Sequence, residues 1–304
     1  MAILRSAPLL RQFLAVVNAG SLTAAAQKVS VTQSALTKSI RKLEQELGAP
    51  LFERLPRGIA LTVYGKTLLP HAQRIVAECR LADLELQAFG SGHTGLLKIG
   101  AGLMFGATMV PSAISRLYEK YPGVAFQIVS GVTELNFPLL KLGELDLMFG
   151  LLPPLETIPD YLTYRPIMEL SSRVVAGVNH PLVGRKRVEA RELADYPWVV
   201  IQHDRELVNN ILATLSTKGV RRPKINVEVT SLSSLVRLLR SGTYLSCFAE
   251  PVAAMPDFGL ALVPYGPRIL RGQAGVVFHR SLERYGPAAA LVEMVQTAAA
   301  HMQL

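Results

Sequence analysis

The chain has 304 residues, 50% of them hydrophobic and 18% charged, with a formal net charge of +9. That is a globular composition with room for more than one domain. No apolar run approaches the roughly 20 residues of a membrane span, the first residues lack the cleavage site of a secretory leader, and Cys79 and Cys247 match no zinc spacing. A cytoplasmic protein with free thiols is therefore expected.

The basic balance favours a polyanionic partner. It is concentrated at one end: residues 1–90 hold 11 Lys and Arg against 6 Asp and Glu. Within that third, Leu9, Leu10, Phe13, Leu14 and Val17 recur at helical spacing. Gly20 follows as a left-handed stop. Ser21 caps a second helix whose Ala24, Ala25 and Ala26 leave its surface thin enough to be crossed closely. Ser30 and Thr32 are candidate caps for a third helix from Thr32 to Leu47, with Ala35, Leu36, Ile40, Leu43 and Leu47 on its buried side and Gly48 ending it.

Two helices joined by a tight turn describe a helix-turn-helix, in which the start of the second helix enters the major groove. Thr32, Gln33, Ser34, Thr37 and Lys38 stand there. Gln pairs with adenine in bidentate fashion and hydroxyls bond several base edges. Arg41 and Lys42 follow within reach of phosphates. From Pro50 to Gly65, Arg54 and Arg57 flank a Pro-Arg-Gly turn, and Ile59 and Leu61 alternate like a short strand, as in a β-wing whose arginines meet the minor groove or phosphates.

Gly65 to Phe89 reads as one helix, with Pro70 in its first turn. Leu68, Ala72, Ile75, Cys79, Ala82, Leu86 and Phe89 form a heptad seam. Small residues at Ala72, Cys79 and Ala82 admit a close partner helix. Gly90-Ser91-Gly92-His93-Thr94-Gly95 then breaks the chain. Strands at Leu96–Gly102, Val124–Gly131 and Leu145–Leu152 alternate with helices at Val110–Tyr121 and Glu134–Leu142, which argues for a mostly parallel sheet. A second set has strands at Leu170–Val178, Trp198–Gln202, Ile225–Val229 and Thr243–Ala249, and helices at Arg205–Lys218 and Ser233–Ser241. The chain returns through Gly272–Arg280 to a last helix at about Pro287–His301. Two α/β lobes joined by crossings near Arg165-Pro166 and Tyr265–Arg268 describe a hinged binding fold.

The residues Thr32-Gln33-Ser34-Ala35, Thr37, Ile40, Leu43-Glu44, Leu47-Gly48, Pro50-Leu51-Phe52, Arg54, Arg57, Leu61-Thr62 and Gly65 resemble the winged helix-turn-helix of LysR-type transcriptional regulators. Ser34 stands where proline is commoner, and Val29 where leucine is usual. LKLGELDLMFG and SGTYLSCFAEPVA resemble patterns of the family's effector domain, which is similar to periplasmic solute-binding proteins. The resemblance implies an α+β multidomain chain with a DNA-binding domain at 1–65, a linker dimerisation helix at 66–90 and an effector-binding domain at 91–304. Lobe I would span about 95–165 and 269–304, lobe II about 166–268. Gln33, Ser34, Thr37 and Lys38 would face bases or phosphates, Ser21 and Thr23 the backbone near the second helix, and Arg54 and Arg57 the wing. Double-stranded promoter DNA, a small-molecule effector and a homodimer through the linker helix, extending to a tetramer, are the partners implied.

Ligands of open α/β sheets lie beyond the carboxyl ends of the strands. Those ends offer Gly102, Leu103, Met104, Val132, Thr133, Leu151, Gln202, His203, Ser231 and Phe248. The family often has a hydroxyl just after the first strand; Gly102-Leu103-Met104-Phe105 here directs the expectation to a ligand with apolar surface, its polar part oriented by Thr133, Gln202, His203 or Ser231. Ordinary loop capping is the alternative for each of these four. No catalytic constellation, metal site or cofactor loop is found, and the lone effector-domain Cys247 excludes a disulfide within that domain. The competing function is a cytoplasmic solute-binding protein without specific operator recognition, against which the dense DNA-binding motif speaks.

Overall fold

The computed structural model describes residues 7–54, 59–88, 94–202, 204–215, 223–253 and 256–302. The chain divides into two compact units, Met1–His93 with Leu139–Leu145 and Thr94–Pro138 with Asp146–Leu304.

In the first unit, α1 (Ala7–Ala19), α2 (Leu22–Lys28) and α3 (Gln33–Leu47) precede a hairpin of β1 (Phe52–Arg54) and β2 (Ile59–Leu61), followed by α4 (Val63–Ala88). The boundaries follow from local chemistry. Gly20 takes φ +66° after α1 and its N–H reaches the Val16 carbonyl. Ser21 Oγ accepts the Ala24 N–H at 3.1 Å, and Thr32 Oγ1 accepts that of Ala35 at 3.2 Å. Gly48, at φ +69°, closes α3. Ser30 caps no helix but sits in the left-handed region of the turn, at φ +55°. Phe13, Ala25, Ala26, Leu36, Ile40 and Leu43 pack into one core. Burial of each large apolar side chain contributes about 2 kcal/mol.

Three expectations for this unit need correction. Ala35 is exposed, and Leu47 is 42% exposed. The buried stripe of α3 runs Leu36, Ile40, Leu43, and Ala35 lies one residue, about 100° of helix, to its side. Because α4 begins at Val63, Pro70 lies inside the helix rather than in its first turn. Ala72 is fully buried in the core of its own winged helix, with Leu68, Ile75 and Val76 packed beside it. The first half of the heptad seam is therefore covered within the chain, whereas Ala82 is exposed and Leu86 is 68% exposed; Phe89 lies outside the described residues.

In the second unit the order is β3 (Gly95–Ala101), α5 (Leu103–Ala107), α6 (Met109–Lys120), β4 (Val124–Ser130), α7 (Thr133–Lys141) and β5 (Leu147–Leu151). The long β6 (Leu162–Gly177) follows, then α8 (Ala190–Leu193), β7 (Pro197–Ile201), α9 (Arg205–Leu215), β8 (Lys224–Val229) and α10 (Leu232–Arg240). Last come β9 (Ser246–Ala249), α11 (Glu250–Ala253), β10 (Leu260–Leu262), β11 (Leu270–His279) and α12 (Gly286–Met302).

The principal sheet has the order β10-β6-β11-β5-β3-β4, with β9 also on β6; β7 and β8 pair separately. It is mixed, not mostly parallel. β3 runs parallel to β4 and β5, but β11 is antiparallel to β5 and β6, and β6 is antiparallel to β9 and β10. The reason is that β6 and β11 are themselves the two crossings, running in opposite directions. The first crossing therefore extends the expected strand at 170–178 back to Leu162, straight through Pro166. Proline has no N–H for a ladder and is tolerated at bulges. Here the register slips between Ala274 and Gly275, so that Gly275 faces Pro166 while Ala274 faces Met168. A side chain at Gly275 would collide with the Arg165 carbonyl.

Candidate functional site

At the start of α3, Thr32, Gln33, Ser34 and Lys38 are exposed and Thr37 is half-buried. The cap that starts the helix also orders these groups. The Thr32 and Ser34 hydroxyls lie 3.1 Å apart, Thr37 Oγ1 donates to the Gln33 carbonyl at 2.8 Å, and Gln33 Nε2 lies 3.5 Å from Thr37 Oγ1. Arg41 and Lys42 continue the same exposed side, with Lys42 3.9 Å from Glu46. Thr23 is exposed on α2, and the half-buried Ser21 accepts the Ala24 N–H as the cap, a bond that does not use its hydroxyl hydrogen. Arg54 ends β1; Arg57 lies outside the described residues.

Glu44 has a role that its sequence position did not disclose. Its carboxylate Oε1 accepts the backbone N–H of Leu51 at 2.8 Å and of Phe52 at 3.4 Å. From the other side, Thr62 Oγ1 donates to the Pro50 carbonyl at 2.6 Å and accepts the Gly65 N–H at 3.1 Å. A side chain at Gly65 would strike the Leu51 carbonyl. The base of the hairpin is thus clipped between α3 and the start of α4, and the Phe13 and Phe52 rings, 5.3 Å apart, fill the space beneath.

A cavity of about 120 Å³ opens at the carboxyl ends of β3 and β5 in the second unit. Its lining brings together Gly102, Leu103, Met104, Val132, Thr133, Leu151 and Phe248, and adds Phe105, Glu134, Gly150, Leu170, Ser172, Asp204, Leu207, Cys247, Ala249 and Val252. Two side chains hold its wall. Thr133 Oγ1 donates to the Leu151 carbonyl at 2.7 Å, and the buried Asn136 donates to the Gly131 carbonyl at 2.8 Å. Two other expected residues lie outside the lining. Ser231 caps α10 through the Ser234 N–H at 3.2 Å, and Gln202 borders a separate hollow with Asn209 and Glu228. His203 lies outside the described residues.

Leu170 and Ser172 enter from the crossing strand, and Asp204 from the turn before α9, where its Oδ1 accepts the Leu207 N–H at 3.0 Å. No local motif announces the first two; an Asp three residues ahead of Leu207 was the available signal for a cap. Burial, then the Asp204 charge, push the Cys247 thiol well above its ordinary range. It is therefore a protonated apolar wall group, not a nucleophile. Asp146, which stands in the family-like LDL run, is structural. It is fully buried, and its Oδ2 accepts the Lys98 N–H at 2.7 Å. No group of residues that could hold a metal ion occurs among those described.

Comparison with known proteins matches both parts of the chain. Residues 8–66 match the family model described as "Bacterial regulatory helix-turn-helix protein, lysR family", and residues 90–300 match "LysR substrate binding domain". The chain is 33% identical to the "Probable hydrogen peroxide-inducible genes activator" of Mycobacterium avium, over 90% of this chain and 88% of that one. It is 32% identical to the "SDS degradation transcriptional activation protein" of a Pseudomonas species, over 86% and 85%. Among solved structures, a full-length OxyR point variant of Pseudomonas aeruginosa shares the fold at TM-score 0.68 and 20% identity, covering 95% of this chain and 94% of that one. CbnR with its target DNA does so at TM-score 0.64 and 20% identity, covering 96% and 99%. A helix-turn-helix with a polar, capped reading helix, joined to an α/β domain with a cleft at its strand ends, and matched along nearly its whole length, places this chain in the LysR family of DNA-binding transcriptional regulators.

Proposed function

We propose that the exposed start of α3 reads promoter DNA and that the cavity at the strand ends takes the small-molecule effector. The carrying observation is the polar edge from Thr32 to Lys38, held by its own hydrogen bonds above the buried Leu36, Ile40 and Leu43. Gln33, Ser34 and Thr37 face base edges; Ser21, Thr23, Lys38 and Arg41 serve the phosphates, and Arg54 and Arg57 the wing. Residues 1–65 form the reading domain, 66–90 the pairing helix and 91–304 the effector domain. Gly102, Leu103, Met104, Val132, Thr133, Leu151 and Phe248 contact the effector.

A homodimer is supported by the apolar strip beside α4, where Val63 is 76% and Tyr64 59% exposed next to Leu47. Two-fold pairing doubles the half-site that one short helix reads. Pairing of dimers into a tetramer extends this arrangement. The protein acts in the cytoplasm and performs no chemistry of its own. Effector binding shifts the regulator between states only insofar as it favours one of them.

Selection of genomic fragments by the purified full-length protein, at near-physiological salt with excess competitor DNA, tests the reading. The expected result is enrichment of a few promoter fragments carrying two-fold related half-sites. Uniform weak recovery means counterion-driven binding alone and contradicts it.

A further inference from the structure

Helix α7 starts in the cavity wall and ends against the linker helix. Its first residues, Thr133 and Glu134, line the cavity, and Thr133 Oγ1 donates to the Leu151 carbonyl of β5 at 2.7 Å. The end of α7 and the turn after it, Leu139–Leu145, belong to the first unit, although the chain on either side belongs to the second. At about 1.5 Å per residue, the nine residues of α7 separate these two ends by roughly 12 Å. The turn approaches α4 closely. Gly143 takes φ +71°, and the N–H groups of Glu144 and Leu145 return to the Leu139 carbonyl, closing the helix. A side chain at Gly143 would collide with the Ala77 methyl, and Ala77 is only 5% exposed. Beside this contact, Gln73 Nε2 donates to Glu144 Oε1 at 2.8 Å. Gln73 directly follows Ala72, which is buried in the core of the winged helix. Close-packed contacts do not stretch, so a displacement of the turn either carries α4 with it or breaks the contact.

We infer that α7 is the lever through which the state of the cavity reaches the reading domain, with Gly143 on Ala77 and Glu144 on Gln73 as its coupling point to α4. This rests on the cavity being the effector site and α3 the DNA reader. A ligand that displaces Thr133 from Leu151 moves the start of α7. Pro138 lies inside the helix, but Asn136, Phe137 and Leu140 around it are all buried, so the helix is one packed body along its length. The coupling is reciprocal: DNA binding biases the cavity wall by the same free energy.

The test uses the full-length protein and perturbs each end by substitution, so it needs no identified effector and its result stands apart from the cavity reading. Thr133→Val removes the bond at the cavity end. Glu144→Ala and, separately, Ala77→Leu loosen the contact on α4. Each is made alone and together with Thr133→Val, and thermal melts establish that each variant folds. Glu144 is exposed, so Glu144→Ala serves if Ala77→Leu does not fold. Two quantities are read: amide hydrogen exchange of residues 73–82 without DNA, and the Kd for the most enriched genomic fragment. The expected result is that Thr133→Val speeds exchange in this part of α4 at least threefold, with β7 and β8 unchanged, and shifts the Kd at least threefold. Added to either variant of the α4 contact, it changes neither readout further, the non-additivity of a shared path. Unchanged α4 exchange in Thr133→Val, effects of the two ends that simply add, or a Kd that responds to neither end each overturns the lever. Absence of any enriched fragment is the failure of the DNA reading, and hydrogen exchange alone then decides the lever.

Discussion

Glu44 and Leu51 are joined by a 2.8 Å hydrogen bond in which the carboxylate accepts the backbone N–H, tying the middle of the reading helix to the base of the wing. The second acceptance, from Phe52, makes one side chain responsible for the start of β1. Replacement by alanine leaves both N–H groups without this acceptor, at a cost of about 1–3 kcal/mol. Glu44→Ala is therefore expected to lower the urea midpoint of the protein and to weaken operator binding, although Glu44 itself touches no base. Glu44→Gln, which keeps an acceptor, retains most of both. Equal losses in the two variants would show that the negative charge, not the acceptor geometry, is what matters.

Thr32 combines a cap with a place on the proposed reading edge. Thr32→Ala removes the bond to the Ala35 N–H and is expected to cost about 1 kcal/mol of stability. Thr32→Ser and Thr32→Asp both restore stability in chemical denaturation. Only the serine variant restores DNA affinity, because a carboxylate repels phosphate. Full affinity in the aspartate variant would remove Thr32 from the interface.

Lys38 and Arg41 are exposed on the same helix. Assigned to phosphates, each contributes to affinity without sequence preference. Lys38→Ala and Arg41→Ala are expected to weaken binding by similar factors on operator and competitor DNA, and each to reduce the magnitude of the logarithmic salt slope by about 1. Fluorescence anisotropy across a salt series measures this. An unchanged slope would place the side chain away from the phosphates.

Burial raises the Cys247 thiol, with Asp204 adding to the effect. A raised folded-state value gives stability that is full below the unfolded thiol value of about 8.5 and is lost as pH rises through the folded value. Two results follow. A thiol reagent at pH 8 leaves the buried Cys247 unlabelled until the protein unfolds. Cys247→Ala also flattens the decline of stability above pH 8.5. Rapid labelling of Cys247 in the native state would contradict the first.

Helix ends were legible because they depend on neighbours in sequence. Gly20, Ser21, Thr32 and Gly48 each do their work within four residues. The heptad run of α4 was legible as a pattern but not in its destination. Periodicity says that a face is covered, not by what, and Ala72 turned out to sit in its own chain's core. Strand positions along the chain were largely readable, whereas sheet direction was not. β6 and β11 pair across a hundred residues, and the slip that admits Pro166 depends on Gly275 in the other strand. For the same reason Ser172, Asp204 and Cys247 could not be assigned to one cavity from their spacing. Two hydroxyls expected to orient a ligand also bond within the chain: Ser231 caps a helix outside the cavity lining, and Thr133, which lines the cavity, donates to Leu151.

Base reading by α3 is assigned to Gln33. Selection from a randomised duplex pool, run in parallel with wild type and Gln33→Ala at one fixed salt concentration, tests it most directly. A two-fold symmetric site is expected for the wild type. For the variant the same site is expected with preference relaxed at one position per half-site, a loss of about 1–3 kcal/mol for the favoured base. Identical base preferences from the two proteins would contradict it.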